Sequence, residues 1–416
     1  MNRVMETGMA AVLAVDFGTS NTAAAVLEDG RVRRLEIEAG GETLPTAVFF
    51  PVEGGMRIGE AAARALIDGE EGRYMRALKS VLGTALFHES RLIGGRRRTL
   101  KDVVTEFLVA LKARAEAQCG VDFEAVLSGR PVRFHEDAER DARAEADLRA
   151  CYLAAGFRQV GFLYEPEAAA LASDGEEGEV GLIVDIGGGT SDFTVFRREG
   201  GMQVVASHGI RLGGTDFDRT LSLAFAMPEL GRGGELRREM GEGRLPVPQA
   251  IYGDLASWAT IPFLYTRETE RMVEDLVRFA VDRVRMERLS RVIRDHLGHD
   301  LAFAIEAGKI AANGGAAGAG IDLGVVERGL WVRMAQGMAN AALADHGAAL
   351  RTAIYEVLMQ AGVAPAEVGR VVLVGGSSLM EMVVEQARAV CPGAQVSRSE
   401  AFTGVVDGLA LATGDT

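Results

Sequence analysis

Apolar residues first gather in Ala11-Val12-Leu13-Ala14-Val15, and a second run returns over Thr22 to Leu27, after the turn Asp16-Phe17-Gly18-Thr19-Ser20-Asn21. A short apolar run closed by a Gly-containing polar turn predicts a buried strand, a tight turn and a second strand. The arrangement recurs far downstream. Val180-Gly181-Leu182-Ile183-Val184 leads into Asp185-Ile186-Gly187-Gly188-Gly189-Thr190-Ser191-Asp192, and Phe193-Thr194-Val195-Phe196 returns. In both copies an Asp closes a buried strand, and Gly with hydroxyl residues makes the turn. Two copies of one supersecondary unit predict two related α/β halves. The expected boundaries are residues 1–178 and 179–416, the second half carrying a helical insertion at about 216–312.

Between these runs the period changes from strand to helix. Leu100 to Cys119 and Asp137 to Ala155 carry apolar residues at helical spacing, with Gly156 as the stop. One long amphipathic helix is expected from Glu268 to His296, where Leu276, Phe279, Arg283, Met286 and Ile293 recur by turns in an ordinary core-facing stripe. Pro228 to Pro262, rich in Gly, Arg and Pro, has no clear period and reads as an irregular insertion. Asn313 to Gly320 reads as a Gly/Ala connection. A helix over Gly347 to Ala361 precedes the buried strand Val371-Val372-Leu373-Val374, which ends in Gly375-Gly376-Ser377-Ser378. A final helical pattern covers Val405 to Ala412.

Charge narrows the function. Lys+Arg number 45 and Asp+Glu 59, a net charge of −14, so the chain as a whole offers no electrostatic footprint for nucleic acid or anionic lipid. The run Arg96-Arg97-Arg98 reads as a solvated loop facing acidic neighbours. Cys119, Cys151 and Cys391 have no metal-knuckle spacing and suggest a reducing compartment. Cys151 sits in a helical pattern as a small core residue. No stretch is long and apolar enough to span a bilayer. These features predict a cytoplasmic protein with no nucleic-acid or membrane partner.

The two turns have a chemical use. Glycine lets backbone N–H groups approach a phosphate closely, and the hydroxyls of Thr19, Ser20, Thr190 and Ser191 add neutral donors. Asp16 and Asp185 would repel phosphate oxygens directly, so they make sense holding Mg2+ through its waters. One such turn is a common structural hairpin. Two, each led by Asp, point to phosphate binding.

At these residues the chain resembles a known superfamily. Val15 to Asn21 is similar to the first phosphate loop of the actin, sugar-kinase and heat-shock-chaperone ATPases, and Val184 to Asp192 to their second. Val372 to Ser378 resembles their adenosine motif. Four further segments resemble the seventy-kilodalton heat-shock chaperones: Leu78-Lys79-Ser80-Val81-Leu82-Gly83, Tyr164-Glu165-Pro166-Glu167-Ala168-Ala169-Ala170, Leu212-Gly213-Gly214-Thr215-Asp216-Phe217-Asp218 and Glu306-Ala307-Gly308-Lys309. Within that family the likeness is greatest to the short YegD-type bacterial paralogues.

The resemblance implies a fold of two ribonuclease-H-like, actin-like ATPase lobes with a nucleotide cleft between them, and slow hydrolysis of Mg-ATP to ADP. It implies that Lys79 meets the γ-phosphate and attacking water, where charge builds during transfer. Asp192 would orient that water or accept its proton, with room for K+ beside it, and Thr190 would act with it. Glu165 would join Asp16 and Asp185 around Mg2+, mostly through water. Gly18, Thr19, Ser20, Asn21, Gly187, Gly188, Gly189, Thr190, Ser191 and Gly214 would cradle phosphates. Glu306 and Lys309 would hydrogen-bond the ribose, Asn313 would join the nucleotide site, and Gly375, Gly376, Ser377 and Ser378 would line the purine side.

The chain departs from the family in places. Ile310 and Leu379 stand where two arginines usually sandwich adenine, and Phe402 stands where an acidic residue is usual. Arg140 matches an arginine that relays nucleotide state, or is a helix surface charge. With Thr416 as the last residue, the expectation is a chaperone-like ATPase without a peptide-binding domain, its client or co-chaperone unnamed by the sequence. A small-molecule kinase, a filament-forming actin-like protein and a nucleotide-binding scaffold without turnover are the alternatives.

Overall fold

The computed structural model of the chain describes residues 11–135, 137–172, 176–199, 202–258, 260–398 and 403–415. The described residues form two compact units. One draws on Met1–Arg211, Ala353–Leu379 and Ala387–Thr416, the other on Leu212–Thr352 and Met380–Gln386.

The first unit holds two large sheets beside two smaller ones. In one, β1 (Val12–Phe17), β2 (Asn21–Glu28) and β3 (Arg31–Arg34) run antiparallel in turn, while β4 (Ala125–Arg130) and β5 (Gln159–Tyr164) extend from β1 in parallel. The order is β5-β4-β1-β2-β3. In the other, β6 (Val180–Ile186), β7 (Ser191–Arg198) and β8 (Met202–Ile210) are antiparallel, and β9 (Arg370–Val374) and β10 (Gln395–Arg398) extend from β6 in parallel. The order is β8-β7-β6-β9-β10. Counted from its own first strand, each sheet therefore runs 3-2-1-4-5 with the same strand directions. The repeat seen in two turns is a repeat of topology. Thr43–Pro45 also pairs with β2, and β1 and β6 each have a strand on either side, so Leu13, Ala14, Val15, Leu182, Ile183 and Val184 are all buried. That double-sided cover is why both strands read as continuous apolar runs instead of alternating ones.

Helices are set by their caps. Helix α1 (Leu100–Cys119) starts in a reciprocal Thr99–Asp102 capping box and stops at Gly120, whose φ is 70°. Helix α2 (Ala138–Ala154) is capped by the Asp137 side chain, which accepts the Arg140 N–H. Helix α3 (Glu165–Leu171) follows β5, and the helix Gly404–Ala412 follows β10. These equivalents of the two repeats pack on each other. Ala168, Ala169, Ala170, Val405, Val406, Leu409 and Ala410 share one buried cluster with residues of both sheets.

Most of the second unit, Leu212–Thr352, is an insertion between β8 and β9. Helix α4 (Gly214–Leu221) runs on as a π-turn over Ser222–Ala226. The segment Pro228 to Pro262 is more regular than its sequence suggests: Glu235–Arg237 pairs with Arg244–Pro246, and Ala250–Leu255 is helical. The single helix expected over Glu268 to His296 is two, α5 (Arg267–Phe279) and α6 (Arg283–Arg294), followed by α7 (Gly298–Asn313). Ala280 leaves the helical path to bridge Leu236, the Val281 N–H bonds the Glu235 carbonyl at 2.9 Å, and Asp282 caps the new helix at Arg285. In the first unit, Arg96–Arg98 is a strand paired with Arg91–Ile93 instead of a loop, and Arg98 is ion-paired with Glu106.

Candidate functional site

The first unit gathers one chemical cluster. Asp16 lies near the end of β1 and Asp185 near the end of β6, and Asp192 on β7 sits directly opposite Asp185 in the antiparallel register. Glu165 is the first residue of α3, placed there by Tyr164 at the cap and Pro166 in the first turn. Lys79 comes from a 3-10 turn, Leu78–Val81, and is 9% exposed. Its ammonium donates to Glu165 Oε1 at 2.5 Å across 86 residues of sequence.

The glycines show how tightly the two turns are built. A Cβ on Gly18 would stand 2.3 Å from the Asn21 carbonyl oxygen. A Cβ on Gly188 would stand 2.9 Å from Ser20 Oγ, so the first turn faces the second. Gly375, at φ +82°, lies where a Cβ would be 2.9 Å from Asp185 Oδ1. Gly187 N–H bonds the Thr190 carbonyl at 2.9 Å and closes the second turn, and Asn21 and Ser191 open the returning strands. Thr19 belongs to the first turn and Gly189 to the second, where Gly189 and Thr190 are exposed.

Four carboxylates thus surround one ammonium. Burial pushes the Asp16 carboxyl up to about 7, and Glu165 adds to the shift while Lys79 opposes it. The same forces bring Asp192 to about 7. Asp185 is raised well above the usual carboxylate range by burial first, then by Glu165, Asp192 and Asp16. Burial works against the Lys79 charge, but Glu165, Asp16 and Asp185 outweigh it and hold the ammonium above its usual pKa. Among the described residues no three acidic, His or Cys side chains converge closely enough to ligate a metal directly. Crowded, incompletely compensated carboxylates without a direct ligand set fit a hydrated hard divalent cation, bound through its waters.

These shifts have a sign that can be tested. Asp192 keeps its proton to about pH 7 when folded but releases it near 3.8 when exposed. Between those values the folded state binds the extra proton, so stability falls as pH rises through that window. In the metal-free protein Asp192→Asn should therefore be the more stable form at pH 8, by about 1–2 kcal/mol, with the gap closing towards pH 4. Urea unfolding across that range checks it, and a gap independent of pH would contradict the shift.

The second unit holds a separate group. Gly214 opens α4 and is buried. On α7, Lys309 is ion-paired with Asp218 Oδ1 at 2.7 Å, while Glu306 lies one turn before it and Ile310 is 63% exposed. Asn313 Oδ1 accepts the Glu381 N–H at 2.8 Å. Asp218 closes the Leu212 to Asp218 segment, and the sequence alone assigns it no role. Its partner lies 91 positions away, a link that spacing does not reveal. In the first unit, after β9, Gly376–Leu379 forms a 3-10 turn. Ser378 is buried there and donates its hydroxyl to the Gly375 carbonyl at 2.6 Å, while Ser377 and Leu379 complete the turn. Arg140 is exposed on α2, and Phe402 lies outside the described residues.

A doubled 3-2-1-4-5 sheet, with an Asp-led glycine turn after the first strand of each copy, defines an α/β protein of the actin-like ATPase fold. The Hsp70 protein family model matches residues 12–232, and the chain belongs to the Hsp70 family. Among curated relatives it is similar to the chaperone protein DnaK of Endomicrobium trichonymphae, at 32% identity over 51% of this chain and 34% of the relative. It is 34% identical to DnaK of Elusimicrobium minutum over 51% of this chain and 34% of that protein. DnaK of Thermotoga petrophila is 34% identical over 50% of this chain and 35% of its own. The matched region thus spans about a third of the length of these relatives. Glu306, Lys309, Ile310, Asn313 and the turn Gly375 to Leu379 lie beyond the family match.

Proposed function

We propose that this chain binds Mg-ATP and hydrolyses it slowly to ADP, as a cytoplasmic chaperone-type ATPase whose output is conformational. The observation that carries the reading is the Lys79–Glu165 pair among Asp16, Asp185 and Asp192, beside two turns that face each other. Phosphates would be held by backbone N–H groups and hydroxyls of Gly18 to Asn21 and Gly187 to Ser191. A bound Mg2+ would supply positive charge to the phosphate oxygens, and Asp16, Asp185 and Glu165 would hold its waters. Lys79 would act on charge that grows in the transferred group, and Asp192 would orient a water or take its proton, with K+ as a further candidate ion. Lys309, Glu306 and Asn313, with the turn Gly375 to Leu379, would serve the nucleoside. Membership of a chaperone family supports a protein client or co-chaperone as partner.

Phosphate release from purified protein, with and without sugar or acetate acceptors, tests the reading. Release that requires an acceptor would favour a kinase, and no release would favour a nucleotide-binding scaffold. Asp185→Asn should weaken Mg-ATP binding about 10-fold more than metal-free ATP, because the lost charge acts on the hydrated cation. Calorimetry with and without Mg2+ that gives equal losses would remove Asp185 from the metal's surroundings.

A further inference from the structure

The geometry points to Asp147, a residue of α2, as the positioning residue of the Lys79 turn, and we propose that it sets the rate of the hydrolysis suggested above. This inference rests on that reading of the site. The turn is short and bracketed by unusual backbone: Ala77 before it has φ 56°, and Gly83 after it has φ 73°. A non-glycine residue in the left-handed region persists only where surrounding structure holds it. Bonds within the turn set its curl but not its place. Ser80 donates through N–H and Oγ to the Ala77 carbonyl, at 3.0 and 2.7 Å, and Thr84 Oγ1 donates to the Val81 carbonyl at 2.7 Å.

Its place comes from contacts far along the chain. Asp147 is 7% exposed, and its Oδ2 accepts the Gly83 N–H at 2.9 Å. Its Oδ1 lies 3.0 Å from His88 Nε2, a second partner for the carboxylate. The His135 ring meets the Leu82 carbonyl at 2.7 Å. Gly83 itself presses on α2, where a Cβ would stand 2.4 Å from the Arg140 carbonyl oxygen and 3.0 Å from Ala144 Cβ. The carboxylate of Asp147 therefore anchors the end of the segment that delivers the Lys79 ammonium to Glu165. A lost anchor lets the ammonium shift, and small misplacements of a reacting group lower rates steeply.

Single-turnover hydrolysis by the full chain tests this. Asp147→Ala should slow it about 10-fold to 100-fold at saturating ATP while the ATP Kd stays within about twofold. Asp147→Asn, whose amide oxygen still accepts the Gly83 N–H, should recover most of the rate. Hydrogen exchange of the segment 77–84 should quicken in the Ala variant and stay near wild type in the Asn variant. Wild-type rate in the Ala variant, or an Asn variant no better than Ala, would overturn the proposal. Absence of turnover in the wild type would overturn the ATPase reading alone, leaving the anchor to stand or fall on the exchange result.

Discussion

Replacing Lys79 by Ala is expected to lower single-turnover hydrolysis by about 10²-fold or more, because a preorganised ammonium acts on charge that exists only during transfer. ATP affinity should change far less if, as proposed, the two turns supply the ground-state contacts. The same change leaves Glu165, 12% exposed, without its 2.5 Å partner beside three further carboxylates. Breaking such a pair costs about 3–5 kcal/mol in buried settings, so the variant should also be less stable. Changing both partners, Lys79→Met with Glu165→Gln, separates the two effects. Stability should return in part, because the Glu165 charge is no longer left unpaired, while turnover should not. A Lys79→Ala protein with wild-type turnover would take Lys79 out of the chemistry.

The second large effect is expected from packing alone, with no charge altered. Gly408 lies in the helix Gly404–Ala412, and a Cβ there would stand 1.7 Å from the Ala168 carbonyl oxygen and 2.4 Å from its carbon. Backbone cannot rotate aside as a side chain can. Gly408→Ala must therefore push α3 and its partner helix apart, at a cost of about 3 kcal/mol or more. Urea unfolding should show the loss, and Gly393→Ala, where nothing lies within 4 Å, should show little. Because α3 begins at Glu165, turnover per folded molecule should fall as well. Equal stability of the two variants would mean that the helices do not approach this closely.

Some of this was legible in order along the chain. Buried central strands announce themselves as apolar runs, so β1, β6 and β9 and the turns after them could be found without coordinates. Helix α1 could be placed as well, because its start and stop are written locally in Thr99, Asp102 and Gly120. The break between α5 and α6 was not legible. Ala280-Val281-Asp282 contains neither Gly nor Pro, and what interrupts the helix is a bridge to Leu236, 44 residues away.

The sequence by itself determined two Asp-led turns, the periodic helices and, through its motifs, the family. Those signals are local, resting on side-chain period and backbone freedom within a few residues. Only the tertiary structure decided which charges meet. Lys79 and Glu165 are 86 residues apart, Gly83 and Asp147 are 64 apart, and Asp218 pairs with Lys309 from another helix. It also decided protonation, lifting Asp16 and Asp192 to about 7 where the same residues in an open chain ionise near 3.8. The reason is physical: a charge senses the solvent it has lost and the neighbours it has gained, and both are properties of the folded site.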